Sequence, residues 1–271
     1  MATLGEQTVG SIVKLNVDGV ATNFIVVHQG LPGTMYDSSC NGTWLLMEDL
    51  RSDVTWHTER LNDYANSQVH NYLNETFINL FDGEIKNVIK SVKLPYTNGL
   101  GAEGLVATGA NGIPASVFLL SSREVGAKLT MAHTEGVALD YFADINNSSS
   151  ESYAIRIAKF NGTASIWWTR TPANDSVSRV AYVSATGDAN TSSLITNARR
   201  YIRPALILPA EINVSSDGSV VVSSGAITGS VNIGGVQREL TGKGYVNIGG
   251  VLRELSDSQV NIGGILKSSK G

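Results

Sequence analysis

Chemistry in this chain would have to come from very few reactive side chains. Its four histidines, His28, His57, His70 and His133, are scattered, and none shows metal-ligand spacing such as His-x-x-x-His. Cys40 is the only cysteine, so neither an internal disulfide nor a thiolate metal cluster can form. The carboxylates show no paired arrangement along the sequence that would set up acid–base work. Gly234-Gly235 and its copies lack the lysine and the following helix of a phosphate loop. No catalytic residue, metal ligand or cofactor is expected, and an enzyme is not. What stands out instead is a segment of small polar residues: Asn174, Asp175, Ser176, Ser178, Ser184, Thr186, Asp188, Asn190, Thr191, Ser192, Ser193, Thr196 and Asn197. Such a stretch cannot fill a core and must be largely solvated. Asp175, Asp188 and Asn190 carry the oxygens that calcium takes, but no calcium motif joins them, so none is expected.

The elements that must hold this segment flank it. Ile166-Trp167-Trp168-Thr169-Arg170-Thr171-Pro172 precedes it, and Arg200-Tyr201-Ile202-Arg203-Pro204-Ala205-Leu206 follows. Adjacent tryptophans need a great deal of surface to bury, so Trp167 and Trp168 read as frame. Arg170 and Arg203 fit the same role, fixing loops by charge-assisted hydrogen bonds. A rigid frame around a polar, irregular surface is the layout of a binding site.

The bulk properties agree with such a protein. Of 271 residues, 42% are hydrophobic, enough for a core, while only 16% are charged and 28 are glycine. That balance belongs to β-rich chains with many turns. A net charge of −4 argues against nucleic-acid binding as the main task. The lone cysteine fits assembly in a reducing cytoplasm. Met1 to Glu6 has neither the basic nor the apolar region of a secretory leader, and no apolar run approaches the roughly 20 residues that span a bilayer. A soluble, non-secreted product without membrane insertion is expected.

Along the chain, Ser11 to Val17 alternates, Asp18-Gly19 supplies a turn and Phe24 to His28 follows, which predicts a β-hairpin. Thr43 to Met47 reads as a third strand pairing with these two. Ser67 can cap a helix with Val69, Tyr72, Leu73, Phe77, Leu80 and Phe81 on one face, and Glu84 to Lys90 offers a second. Ser116 to Leu120 is a buried strand, and Ser121 with Glu124 has capping-box spacing. Ile155 to Ala158, Ile166 to Trp168 and Val177 to Val183 are further strand candidates. Tyr201 to Arg203 reads as a strand ending at a sheet edge before Pro204. Trp44 and Trp56 are expected in the core. The class is α+β, with two early helices, short strands and long loops.

Beyond Pro209 the character changes, with linker-like Ser215-Ser216-Asp217-Gly218 and Ser223-Ser224-Gly225. A repeat follows: Val231 to Leu240, Val246 to Leu255 and a truncated Val260 to Lys267 each centre on Asn-Ile-Gly-Gly. Each copy reads as a tiny hairpin about a Gly-Gly turn, and one alone cannot bury its apolar face. The organisation expected is a main domain over 1–210 (hairpin region 8–48 included), a linker over 211–230 and an assembly or docking module over 231–271. Stacking hairpins from several chains would bury Ile233, Val236, Leu240, Ile248, Val251, Leu255, Ile262 and Ile265. A homo-oligomer follows, a trimer by analogy with fibres.

Several of these stretches together resemble a known family. Gly5 to Val13, Phe24 to Gly30, Trp44-Leu45-Leu46, Asn62-Asp63-Tyr64-Ala65-Asn66-Ser67 with Tyr72-Leu73-Asn74, Phe118 to Ser121, Trp167 to Pro172 and Ile202 to Leu206 carry the likeness. The chain resembles phage and prophage tail-associated proteins with a C-type-lectin-like, formylglycine-generating-enzyme-like fold. Some of these are the variable proteins of diversity-generating retroelements. Thr169 and Thr171 depart from the family's usual Leu and Ser. The formylglycine-generating relatives work through cysteines, which Cys40 alone cannot supply. The Val-Asn-Ile-Gly-Gly repeats look like those ending many phage tail proteins.

The resemblance implies a C-type-lectin-like domain that binds a target through the surface after the Trp-Trp motif. Carried over, the binding residues are Asn174, Asp175, Ser176, Ser178, Arg179, Tyr182, Ser184, Thr186, Asn190, Thr191, Ser192 and Asn197, with Trp167, Trp168, Arg170 and Arg203 as frame. Small hydroxyls and amides with a tyrosine make an adaptable surface of the kind found in antibody loops. Two functions fit. One is a virion adhesin at a tail tip or fibre end, made in the bacterial host cytoplasm, that binds a protein or glycan receptor on a bacterial cell. The other is a structural virion component, a baseplate or decoration protein, whose same surface contacts other phage tail proteins.

Overall fold

The computed structural model describes residues 2–99, 105–143, 153–191 and 199–222, together with six strands between 229 and 268. The chain divides into two compact units, Met1–Val221 and Val222–Gly271. The first unit is mixed α+β, mostly short strands with a few short helices.

Its first sheet is antiparallel and runs in the order β1 (Ile12–Val17), β2 (Val20–Gly30), β3 (Gly42–Met47), β10 (Ala205–Leu208) and β5 (Val117–Phe118). The β1–β2 turn works because Asp18 and Gly19 both take positive φ, 57° and 74°, as a two-residue hairpin demands. Strand β3 was expected beside both hairpin strands. It pairs with β2 on one side and β10 on the other, so the C-terminal Ala205–Leu208 closes the centre of the sheet. Behind it Trp44 is fully buried, edge-on to Tyr36 and Phe118 at 5.6 Å each, with Nε1 donating to the carbonyls of Gly30 and Cys40.

The second sheet is mixed, in the order β8 (Ala189–Thr191), β7 (Val180–Val183), β6 (Trp167–Pro172), β9 (Arg199–Tyr201) and β4 (Asp53–Thr55). Its one parallel pairing joins Trp167 to Tyr201. Arg203-Pro204 is therefore no sheet edge. It is the crossover that carries the chain from β9 into the middle of the first sheet, with the Pro204 carbonyl accepting from Met47 N at 2.9 Å.

The expected helix begins where Ser67 caps it, its hydroxyl accepting from His70 N at 3.1 Å. It then changes pitch, from an α-turn at Gln68–Asn71 through a π-turn at Tyr72–Thr76 to a 3₁₀-turn at Phe77–Leu80. The buried residues Val69, Leu73, Phe77 and Phe81 are spaced by four, and a locally widened turn keeps such a row on one side. Asn74, inside the wide turn, joins it to β5: Nδ2 donates to Val117 O and Oδ1 accepts from Ser116 N and Val117 N.

Three other expectations are corrected. Ile155–Ala158 is no strand: Ile155 and Arg156 close a helical turn that begins at Tyr153, with Arg156 N and Ile157 N bonded to the carbonyls three residues back. That turn puts the buried Arg156 guanidinium on Val125 O at 2.7 Å. The strand foreseen over Val177–Val183 is confined to Val180–Val183, and Val177 is 46% exposed in the preceding loop. Residues 211–221, foreseen as linker, belong to the first unit, because Asn213–Val214 pairs with both Ala2–Thr3 and Val220–Val221.

In the second unit, Gly229–Ile233 pairs with Val236–Leu240, Tyr245–Ile248 with Val251–Glu254 and Gln259–Ile262 with Ile265–Ser268. Ile233 is registered with Val236, Ile248 with Val251 and Ile262 with Ile265. Among the described residues no strand of one hairpin pairs with a strand of another. The Gly-Gly turns and Leu255 lie outside the described residues.

Candidate functional site

Every residue of Trp167–Pro172 is buried. Trp167 Nε1 donates to Arg156 O and Trp168 Nε1 to Val54 O, both at 3.2 Å. Thr169 Oγ1 donates to Ala181 O at 2.7 Å, and Thr171 Oγ1 accepts from Ser122 N at 2.9 Å. The two threonines thus anchor β6 to its neighbours through their hydroxyls. Arg203 lies 5.3 Å over the Trp167 ring and donates to the carbonyls of Met47 and Glu48. Burial pulls its guanidinium down to about 10.

Arg170 is the hub under the strand. Its two terminal nitrogens meet both Glu124 oxygens, at 2.5 and 2.6 Å, and also bond Leu119 O and Pro95 O. Both side chains are fully buried. Burial opposes the charge on Arg170, but Glu124 outweighs it and holds the group above its ordinary value. Glu124 also caps its own turn, accepting from Ser121 N at 2.8 Å while Ser121 Oγ accepts from Glu124 N at 3.0 Å. Tyr36 adds a hydroxyl to Glu124 at 2.9 Å, and burial, then Glu124, raises that phenol. Beside the hub is Glu135, equally buried. Its Oε1 accepts from Thr97 N at 2.7 Å, and its carbonyl from Ser121 Oγ at 2.5 Å. Burial raises Glu135 to about 7, against the pull of Arg170 and the Thr97 amide.

On this frame the expected binding residues fall into two groups at opposite ends of β7. The loop 173–179 holds Asn174, Asp175, Ser176, Ser178 and Arg179, each exposed or half-exposed. Asn62, fully buried, reaches into it: Nδ2 donates to Ala173 O at 3.2 Å, Ser176 O at 2.7 Å and Arg179 O at 3.0 Å. A short antiparallel contact with residues 130–133 supports the other side. There Asn174 N donates to Met131 O, Asn174 Nδ2 to Thr130 O and His133 N to Pro172 O. Asp175 pairs with Arg179, and the Ser176 and Ser178 hydroxyls meet at 3.2 Å.

The second group sits in the β7–β8 turn, where the Ser184 hydroxyl meets that of Thr186 at 2.8 Å and accepts from the amides of Thr186 and Asp188. Between the groups, Tyr182 is registered with Trp168 on one side and Asn190 on the other. The oxygens of Asp175 are thus at the other end of β7 from Asp188 and Asn190. Thr191 closes β8 opposite Ala181; Ser192 and Asn197 lie outside the described residues. Among the described residues no group of three or more His, Cys, Asp or Glu could hold a metal ion.

Sequence reasoning missed two residues of this arrangement. Asn62 lay inside a quoted motif without a role, and Glu135 gave no signal at all, whereas the capping-box spacing marked Glu124. No curated protein matches the chain, and no solved structure does. A family described as a domain of unknown function matches residues 41–210, which takes in β3 through β10 and Arg170 with Glu124 and Glu135. The chain belongs to that family, DUF6273.

Proposed function

We propose that this protein is an adhesin of a bacteriophage tail tip or fibre, with a C-type-lectin-like main domain that binds a bacterial surface receptor. The observation that carries this reading is the 173–179 loop, a polar exposed segment whose backbone is fixed from below by the buried amide of Asn62. Holding a loop still before a partner arrives spares the ordering entropy of binding, which is what a recognition surface needs. In this reading the C-terminal hairpins attach the protein to other tail proteins and to further copies of itself. Several copies on one particle would convert weak contacts into avidity.

Met131 and Val177, 44% and 46% exposed, favour the second reading, in which the same face docks on another virion subunit. Labelling of intact gut bacteria by the purified full chain tests both. One variant carries Asn174→Ala, Asp175→Ala and Arg179→Ala; another carries Ser184→Ala and Thr186→Ala. Strain-specific labelling lost in the first variant supports the adhesin and places its site at the 173–179 loop. No labelling of any strain, together with co-assembly with tail subunits, would replace it with the structural reading.

A further inference from the structure

Asn-Gly occurs four times in the chain, as Asn41-Gly42, Asn98-Gly99, Asn111-Gly112 and Asn161-Gly162. In each, the asparagine side-chain amide carbon and the glycine nitrogen could close a five-membered ring, and glycine has no Cβ to obstruct it. Closure needs a peptide that is free to turn and a nitrogen that can give its proton to solvent. Residue type makes the four steps alike, so the fold alone distinguishes them.

Three of them are held. Gly42 is buried at the start of β3 and registered with Gly30, and Leu208 O stands 2.6 Å from where a Cβ would be. Gly99 is buried, its N–H donates to Thr97 Oγ1 at 3.3 Å, and Asn62 crowds it. Gly112 is buried too; its N–H donates to Gly109 O at 2.9 Å, and Leu94 O lies 2.6 Å from the Cβ position. Asn161-Gly162 is the exception. Both residues are exposed, and no atom comes within 4 Å of the Gly162 Cβ position. They form the whole connection of a hairpin that pairs Lys159–Phe160 with Thr163–Ala164, at φ of 49° and 80°. In such a two-residue turn the central peptide stands outside the ladder.

We propose that Asn161 is a site of spontaneous deamidation and isoaspartate formation, selected from the four Asn-Gly steps by the fold. The Gly162 nitrogen, its proton lost to solvent, bonds to Asn161 Cγ and expels ammonia, which closes a succinimide. Water then adds to one of the two ring carbonyls and the carbon–nitrogen bond there breaks. The nitrogen regains a proton, and aspartate or isoaspartate remains. Isoaspartate carries the backbone through the side-chain methylene, which lengthens a turn that has room for two residues only. Both products add a negative charge. The hairpin they alter is tied to the frame, with Lys159 O accepting from Leu50 N at 2.7 Å and Phe160 stacked on Tyr201 of β9 at 4.4 Å.

The test is incubation of the unmodified full chain at mildly alkaline pH, with and without urea, followed by peptide mapping. Each conversion adds about 1 Da, and isoaspartyl methyltransferase labelling separates isoaspartate from aspartate. In the folded chain Asn161 is expected to convert at least about tenfold faster than Asn41, Asn98 or Asn111, since those three must first open locally. In urea the four rates should converge. A folded chain whose Asn161 is no faster than the other three overturns the proposal. So does the same ranking in urea, because neighbouring residues and not the fold would then set it.

Discussion

Asn62 and Ser176 are 114 positions apart in the chain, yet the fully buried amide of the first donates to the carbonyl of the second at 2.7 Å. That bond and its two companions turn a polar loop into part of the frame. Asn62→Ala takes a donor from the carbonyls of Ala173 and Ser176 and leaves Arg179 O with the Ala173 amide, and it is expected to destabilise the first unit by roughly 2–4 kcal/mol. Urea unfolding should register the loss. Exchange in residues 173–179 should rise more than in β1–β2.

Gly99→Ala probes the same junction from the other side. Glycine is required there twice over, by a φ of +71° and by the approach of Asn62 Oδ1 and O. The added methyl is expected to cost at least about 1–3 kcal/mol, read as a lower denaturation midpoint with an unchanged slope.

The Arg170–Glu124 pair should behave as a buried ion pair does. Arg170→Met strands Glu124 in the interior and is expected to cost roughly 3–5 kcal/mol, whereas Arg170→Met with Glu124→Leu should recover a large part of that. Equal losses in the single and double variants would show that the other contacts of the two side chains, Leu119 O and Pro95 O on Arg170 and Ser121 N and the Tyr36 hydroxyl on Glu124, outweigh the pair.

Glu135 makes a prediction with a definite sign. Its folded-state pKa stands above the unfolded value of 4.5, at about 7. Its contribution to stability is therefore fully present below 4.5 and is lost as pH rises through 7. Glu135→Gln should gain on the unmodified chain between pH 5 and 8, by on the order of 3 kcal/mol at most. Denaturation midpoints of the two proteins at both pH values check this. A difference that does not change with pH would contradict it.

A truncation meant to separate the two units has to fall after Val221. Cutting after Ser216 would remove Val220–Val221 from its pairing with Asn213–Val214 and take away Asp217, whose carbonyl accepts from Lys14 Nζ. The shorter product is expected to melt below the longer one by a few degrees.

The division between what local sequence determined and what the tertiary structure decided follows chain distance. Alternation and Asp18-Gly19 sufficed for the β1–β2 hairpin, Ser67 for the start of the helix, and Ser121 with Glu124 for a capping box. In each the partners lie within a turn or two, so residue type and spacing already contain the geometry. Trp167-Trp168 declared burial, because rings of that size leave few alternatives. The crossover at Pro204, the helical turn at 153–156, whose Arg156 reaches Val125 O and Trp167, and the place of residues 211–221 were decided by contacts with distant segments, which short stretches cannot announce. Asn62 and Glu135 belong to the same class. An asparagine before Asp63 and a glutamate after Thr134 look like solvated loop residues until the fold removes the water around them. Only then must their polar atoms find partners, and it is those partners, drawn from segments 38 to 117 residues away, that position the candidate surface.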